Sequence, residues 1–175
     1  MHRANEHPAH IDGYRFARTD GRIAGTVPLA GLPRLHDLLS DPAGDLSYRL
    51  SGTRDASGRL ALRLEATGEL QLTCQRCLGP LAFPVRLDSL LVLARSESDI
   101  AAKPEDPDGP EWVVGGEAMP VLQMVEDEVL LAVPHVPRHD VDACVSGVAG
   151  RGTQESSAFK GLRGLLDGSG GRAKS

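Results

Sequence analysis

Aromatic side chains are scarce in this sequence, with one Trp, two Tyr and three Phe among 175 residues. Proteins that hold single-stranded nucleic acid without sequence preference stack bases on aromatic rings, so a conventional stacking surface for RNA lacks its raw material here. Positive charge is also short: 19 Lys and Arg stand against 24 Asp and Glu, a formal charge of -5. No global field draws such a chain to phosphate, because nonspecific affinity comes from basic residues displacing counterions. No run approaches membrane-spanning length, and the opening MHRANEHPAHIDG lacks the apolar stretch of a signal peptide. The expectation is a cytoplasmic chain with no membrane partner. Cysteine is limited to three residues, an odd number. Cytosolic thiols are kept reduced, so a disulfide framework explains them poorly; metal binding, redox work or plain burial remain.

What is present is ordinary for a folded domain, with 41% hydrophobic and 25% charged residues over a length that suits one core. Residues 1–21 are polar and carry His2, His7 and His10 without ligand spacing, which reads as a flexible N-terminal tail. From Pro28 to Leu39, leucines at 29, 32, 35, 38 and 39 recur near helical spacing, predicting an amphipathic helix closed by Asp41-Pro42. Leu46, Tyr48 and Leu50 then alternate with polar residues, Asp55-Ala56-Ser57-Gly58 supplies a turn, and Leu60, Leu62, Leu64 and Ala66 resume the alternation. That is a hairpin. The same parity runs on through Gly68, Leu70, Leu72 and Cys74, with a bend or bulge allowed at Gly68. After the turn from Cys74 to Pro80, Val85 to Ala94 reads as the next strand, so the cysteine turn lies at the tip or edge of an antiparallel sheet.

Ser96 to Gly116 is rich in acidic residues, Pro and Gly, a long loop interrupted by the short strand candidate Trp112-Val113-Val114. Met119-Pro120 opens a helix in which Leu122, Val125, Val129 and Ala132 share a face, ended by Pro134. Residues 145–175 turn to Gly, Ser and Arg and read as a mostly disordered tail, with one short amphipathic segment at Phe159, Leu162, Leu165 and Leu166 suited to ordering against a partner. The predicted class is α+β: one domain over 22–144, mainly antiparallel sheet packed with two helices, between flexible tails.

The sharpest local feature is Cys74-Gln75-Arg76-Cys77 followed by Leu78-Gly79-Pro80, since two thiolates on a tight turn can converge on one tetrahedral zinc. Alone the pair is half a site. Cys144 with His139, or His135 in its place, supplies completing ligands of the right softness for one structural zinc ion. Two other readings stay open: three reduced thiols without a ligand, and a redox dithiol, although redox Cys-x-x-Cys pairs open helices and this pair lies between strands. The run Glu126-Asp127-Glu128 reads as a solvated face rather than a catalytic pair, because adjacent helix residues point in different directions. No nucleophile elbow and no phosphate-cradling Gly loop is present, so neither an enzyme nor a small-molecule substrate is indicated. Arg76, Arg86, Lys160, Arg163, Arg172 and Lys174 are the basic residues available for phosphate, with solubilising surface charge as the plainer account.

The Cys74 to Cys77 motif, joined to the run from Val125 to Asp140 (VEDEVLLAVPHVPRHD) and closing at Cys144, resembles the YceD family of large ribosomal RNA subunit accumulation proteins. The resemblance lies in the order: a cysteine pair after a strand, an acidic then leucine-rich helix, a Pro-x-x-Pro exit, and a following His and Cys. It covers about Gly21 to Cys144, and the segment around Phe159 resembles a short motif near the family's C-terminus. Some relatives carry further cysteines in place of His139 and beyond Cys144, which favours a metal for them; this chain has three. The resemblance implies a non-catalytic role in synthesis, processing or accumulation of 23S ribosomal RNA. Ribosomal proteins or a pre-ribosomal particle would be the partners, and ribosomal RNA would be reached indirectly. The acidic balance suits basic ribosomal proteins; Arg76, Glu126, Asp127 and Phe159 are the candidate partner-binding residues. A thiol redox protein using Cys74 and Cys77, or a direct RNA-binding protein, is the alternative.

Overall fold

The computed structural model describes residues 8–103, 106, 109–140 and 144. Its centre is the hairpin that alternation predicts: Asp45–Arg54 and Leu60–Thr73 pair antiparallel, and Pro80–Ala94 pairs along the whole second strand from Thr73↔Pro80 to Ala61↔Val92. In chain order the strands are β1 (His10–Ile11), β2 (Arg22–Pro28), β3 (Leu39–Asp41), β4 (Asp45–Arg54), β5 (Leu60–Thr73), β6 (Pro80–Ala94), β7 (Glu111–Val114) and β8 (Met119–Pro120). The helices are α1 (Gly13–Arg18), α2 (Glu97–Ala101) and α3 (Val121–Ala132). The large sheet runs β2-β4-β5-β6-β7 with β3 added on β5, while β1 and β8 form a separate two-stranded ribbon. All pairings are antiparallel except β6 with β7, which is parallel.

One face of the sheet builds the core. Leu46, Tyr48 and Leu50 of β4 join Leu62, Leu64, Ala66, Leu70 and Leu72 of β5 and Val85, Leu91 and Leu93 of β6, all buried and all in one cluster with Val121, Val125, Val129 and Val133. A fully buried aliphatic side chain contributes roughly 1.5–3 kcal/mol, so this parity, held over three strands, selects the register. Register passes Gly68 without a bulge; Leu46↔Gly68 is an ordinary pair. The irregularity lies instead between Leu39 and Asp41 of β3.

Three expectations are corrected. Pro28 to Leu39 is not one helix but two single-turn 3-10 helices, Leu29–Gly31 and Pro33–Leu35, followed by β3. Pro33 lacks the N–H a continuous helix requires there, yet Leu29, Leu32 and Leu35 are still fully buried, since a three-residue turn keeps their spacing on one face. The stretch up to residue 21 is no tail where it is described: residues 8–21 carry β1 and α1, bury Ile11 and Ala17, and tie in through Gly13 N–H to Gly116 C=O at 2.9 Å. Its apolar positions are too few and its helix too short for periodicity to reveal it. The third correction concerns the acidic run on α3. Glu126 and Glu128 are buried, because the helix is covered on that side as well. The amphipathic segment at Phe159 and the rest of residues 145–175 lie outside the described residues.

Candidate metal centre

The turn between β5 and β6 is closed by its own backbone. Cys74 N–H donates to Gly79 C=O and Leu78 N–H to Cys74 C=O, both at 2.9 Å, a return made possible by Leu78 in the left-handed region at φ 60. This geometry folds Cys74 and Cys77 onto one side. The segment leaving α3 then docks against the turn: Gln75 N–H donates to Pro137 C=O at 2.8 Å, and the Arg76 guanidinium donates to the carbonyls of His139 at 3.2 Å and Asp140 at 3.1 Å. Val133 and Pro137 are buried on the way, so the exit from α3 follows a packed path rather than an open loop.

The result brings Cys74, Cys77, His139 and Cys144 together, their ligand atoms all within 4.8 Å of one another. A tetrahedral zinc with bonds of about 2.3 Å to sulfur and about 2.0 Å to nitrogen requires sulfur–sulfur edges of about 3.8 Å and sulfur–nitrogen edges of about 3.5 Å. Cys74 Sγ and Cys144 Sγ are 3.8 Å apart, Cys77 Sγ and His139 Nδ1 3.5 Å, and Cys144 Sγ and His139 Nδ1 3.8 Å. These three edges match the ion in size, and the donors match it in softness. His139 is also held in the matching tautomer: Nε2–H donates to Pro80 C=O at 2.9 Å, leaving the Nδ1 lone pair facing the sulfurs.

Electrostatics point the same way. The Cys74 thiol is lowered to about 5, first by the Cys77 backbone N–H, against the opposing effect of burial. Cys144 is lowered foremost by the Arg76 guanidinium, and His139 is raised by Cys144 and then Cys74. Cys77 is pulled down by the Gly79 N–H but pushed up further by Cys144, by burial and by Cys74. Thiols this close resist simultaneous ionisation unless a cation sits among them.

The four residues named as metal ligands from sequence are thus the four that converge, while His135 is exposed and outside the cluster. Arg76, expected from sequence as a partner-binding or phosphate-contacting residue or plain surface charge, is placed by its bonds as a bracket for the His139 segment and a countercharge to Cys144. Glu126 and Asp127 lie elsewhere. Glu126 Oε1 accepts the Arg34 backbone N–H at 2.6 Å, and Asp127 pairs with the Arg34 side chain. Arg86 is exposed on β6, and Phe159, Lys160, Arg163, Arg172 and Lys174 are outside the described residues.

Comparison with known proteins finds one family profile, described as large ribosomal RNA subunit accumulation protein YceD, matching residues 62–165. That span takes in all of the cysteine turn, α3 and the converging ligands. No solved structure matches the chain.

Proposed function

The chain belongs to the YceD family of large ribosomal RNA subunit accumulation proteins, with the ribosome-related role this membership carries, and from that premise we propose a non-catalytic factor of large-subunit biogenesis. It acts in the cytoplasm by binding ribosomal proteins or a pre-ribosomal particle, so that 23S ribosomal RNA is made, processed or retained. The observation that carries the docking reading is the closed character of the strongest chemical constellation among the described residues. Three sulfurs and one imidazole nitrogen converge on one point, which leaves a bound zinc no open position for water or substrate. Such an ion supplies a cross-link between distant segments, not a reaction. Cys74 is fully buried, which denies a disulfide substrate the more acidic thiol of the pair and weighs against the redox reading.

Gradient sedimentation of lysate from the native host at low salt tests this role. Part of the chain should travel with large-subunit precursors, and the association should weaken as salt rises. Recovery solely in the free fraction under those conditions contradicts it.

A further inference from the structure

Between α3 and β7 the surface opens into a groove of about 330 Å³, lined by Leu91, Val113, Met124, Leu130 and Leu131 with Arg34, Glu111, Asp127 and Glu128 at its edge. Its charges do not balance. Arg34 is the single basic lining residue, and it pairs with Asp127. Glu128 is 6% exposed, and no lysine or arginine among the described residues pairs with it. Its described polar neighbour is a second carboxyl, Glu111, which is raised by partial burial, then by the charge of Glu128 and by a side-chain hydrogen bond to it, so that a proton on Glu111 bridges the two, and last by the charge of Asp127. A buried carboxylate facing another carboxylate is unfavourable unless a cation or a proton comes between them. Beside this pair Leu131 stands 68% exposed on the last turn of α3, an apolar anchor that nothing in the described fold covers.

We propose that this groove is a docking site for a basic amphipathic segment of a protein partner, one Lys or Arg entering between Glu111 and Glu128 while apolar side chains of the same segment cover Leu131, Leu130 and Met124. Charge complementarity adjoins an apolar floor: a carboxyl pair that shares one proton and has no basic side chain of its own takes a cation in place of that proton, and the leucines select the carrier of that cation over a bare polycation or a nucleic acid. Phosphate would be repelled by the same pair. The inference rests on the docking role proposed above and names the surface and the chemistry of its partner.

The test uses the full purified chain and a fluorescein-labelled amphipathic peptide of leucine and lysine, with a lysine-only peptide for comparison, followed by anisotropy. The wild-type chain should bind the leucine–lysine peptide more tightly than the lysine-only one, and E111Q/E128Q should weaken that binding about tenfold or more. Leu131→Ser, a change at an exposed side chain, should weaken it as well. A control pair, D45N/E69Q, changes the net charge equally outside the groove and should leave affinity within about twofold; thermal melts confirm that each variant is folded. Equal weakening by both charge pairs, or equal affinity for the two peptides, overturns the proposal. So does unchanged peptide affinity in E111Q/E128Q together with tighter binding of a labelled RNA, which would assign the groove to nucleic acid. Sedimentation with precursors is read separately in lysate. A wild-type chain that sediments with them while E111Q/E128Q keeps its peptide affinity removes the groove and leaves the role standing.

Discussion

Asp55 opens the turn between β4 and β5, where its Oδ1 accepts the backbone N–H groups of Ser57 at 3.0 Å and Arg59 at 2.8 Å, and its Oδ2 takes Arg59 Nε at 2.6 Å. The Arg59 side chain, first among the causes, holds this carboxyl below its ordinary value. Because the folded value is the depressed one, the stabilisation is complete above about pH 4 and fades as pH falls through the lowered value. Asp55→Asn should therefore be less stable than wild type near neutrality, with the gap between their melting temperatures holding steady down to about pH 4 and closing as pH falls below it. A gap that widens in acid would contradict the assignment. The residue type was legible in sequence as turn chemistry, since Asp-x-x-Gly suits a turn whose Gly58 has φ 79. The metal ligands were legible for a similar reason, a pair of thiols at fixed spacing and two soft donors placed after a helix. Arg76 was not, because the carbonyls of His139 and Asp140 that it meets belong to a segment more than sixty residues along the chain.

At the scale of elements, α1 lies so close to β4 that the two backbones nearly touch. A Cβ on Gly52 would stand 2.3 Å from Phe16 O and 2.7 Å from Ala17 Cα, and these are backbone atoms that no rotamer change can move aside. Gly52→Ala should accordingly destabilise the fold by roughly 1–3 kcal/mol, read as a lowered denaturation midpoint, with hydrogen-exchange protection lost first in α1. An unchanged midpoint would mean that α1 does not pack there. Alternation exposed β4, β5 and β6 because one buried face imposes a period of two over long strands. The helix α3 was also found by its apolar period, but only Val125 and Val129 of the predicted face are buried; Leu122 and Ala132 are exposed, and Val121 takes the remaining place in the core. Short elements carry no such signal: α1 spans six residues and α2 five. For α2 a cue was present nonetheless, in Ser96 three residues before Asp99, whose N–H the Ser96 hydroxyl accepts at 3.3 Å. The parallel pairing of β7 with β6 depends on the loop returning to the sheet edge, which no local pattern in the intervening residues specifies. The burial of Glu126 and Glu128 likewise depends on Arg34 and Glu111, contributed by distant parts of the chain.

Taken as a whole, the described domain holds α3 at both ends. Its start is anchored where β8 pairs with β1 and Val121 N–H donates to Ala9 C=O at 3.1 Å; its exit runs through Val133 and Pro137 to the cysteine turn. The groove that carries Glu111, Glu128 and Leu131 lies between these anchors. A zinc ion at Cys74, Cys77, His139 and Cys144 would thus do more than staple a turn. It would set the position of the helix on which the proposed docking surface depends, and since a bound metal stabilises only the folded chain, its binding energy adds to fold stability. Elemental analysis of the full chain, purified without added metal or chelator, is the most direct measurement. The account predicts one zinc per chain, absent from Cys77→Ser, with a melting temperature that falls by about 10 °C or more when the ion is removed. A metal-free preparation whose melting temperature is the same before and after chelation would contradict it.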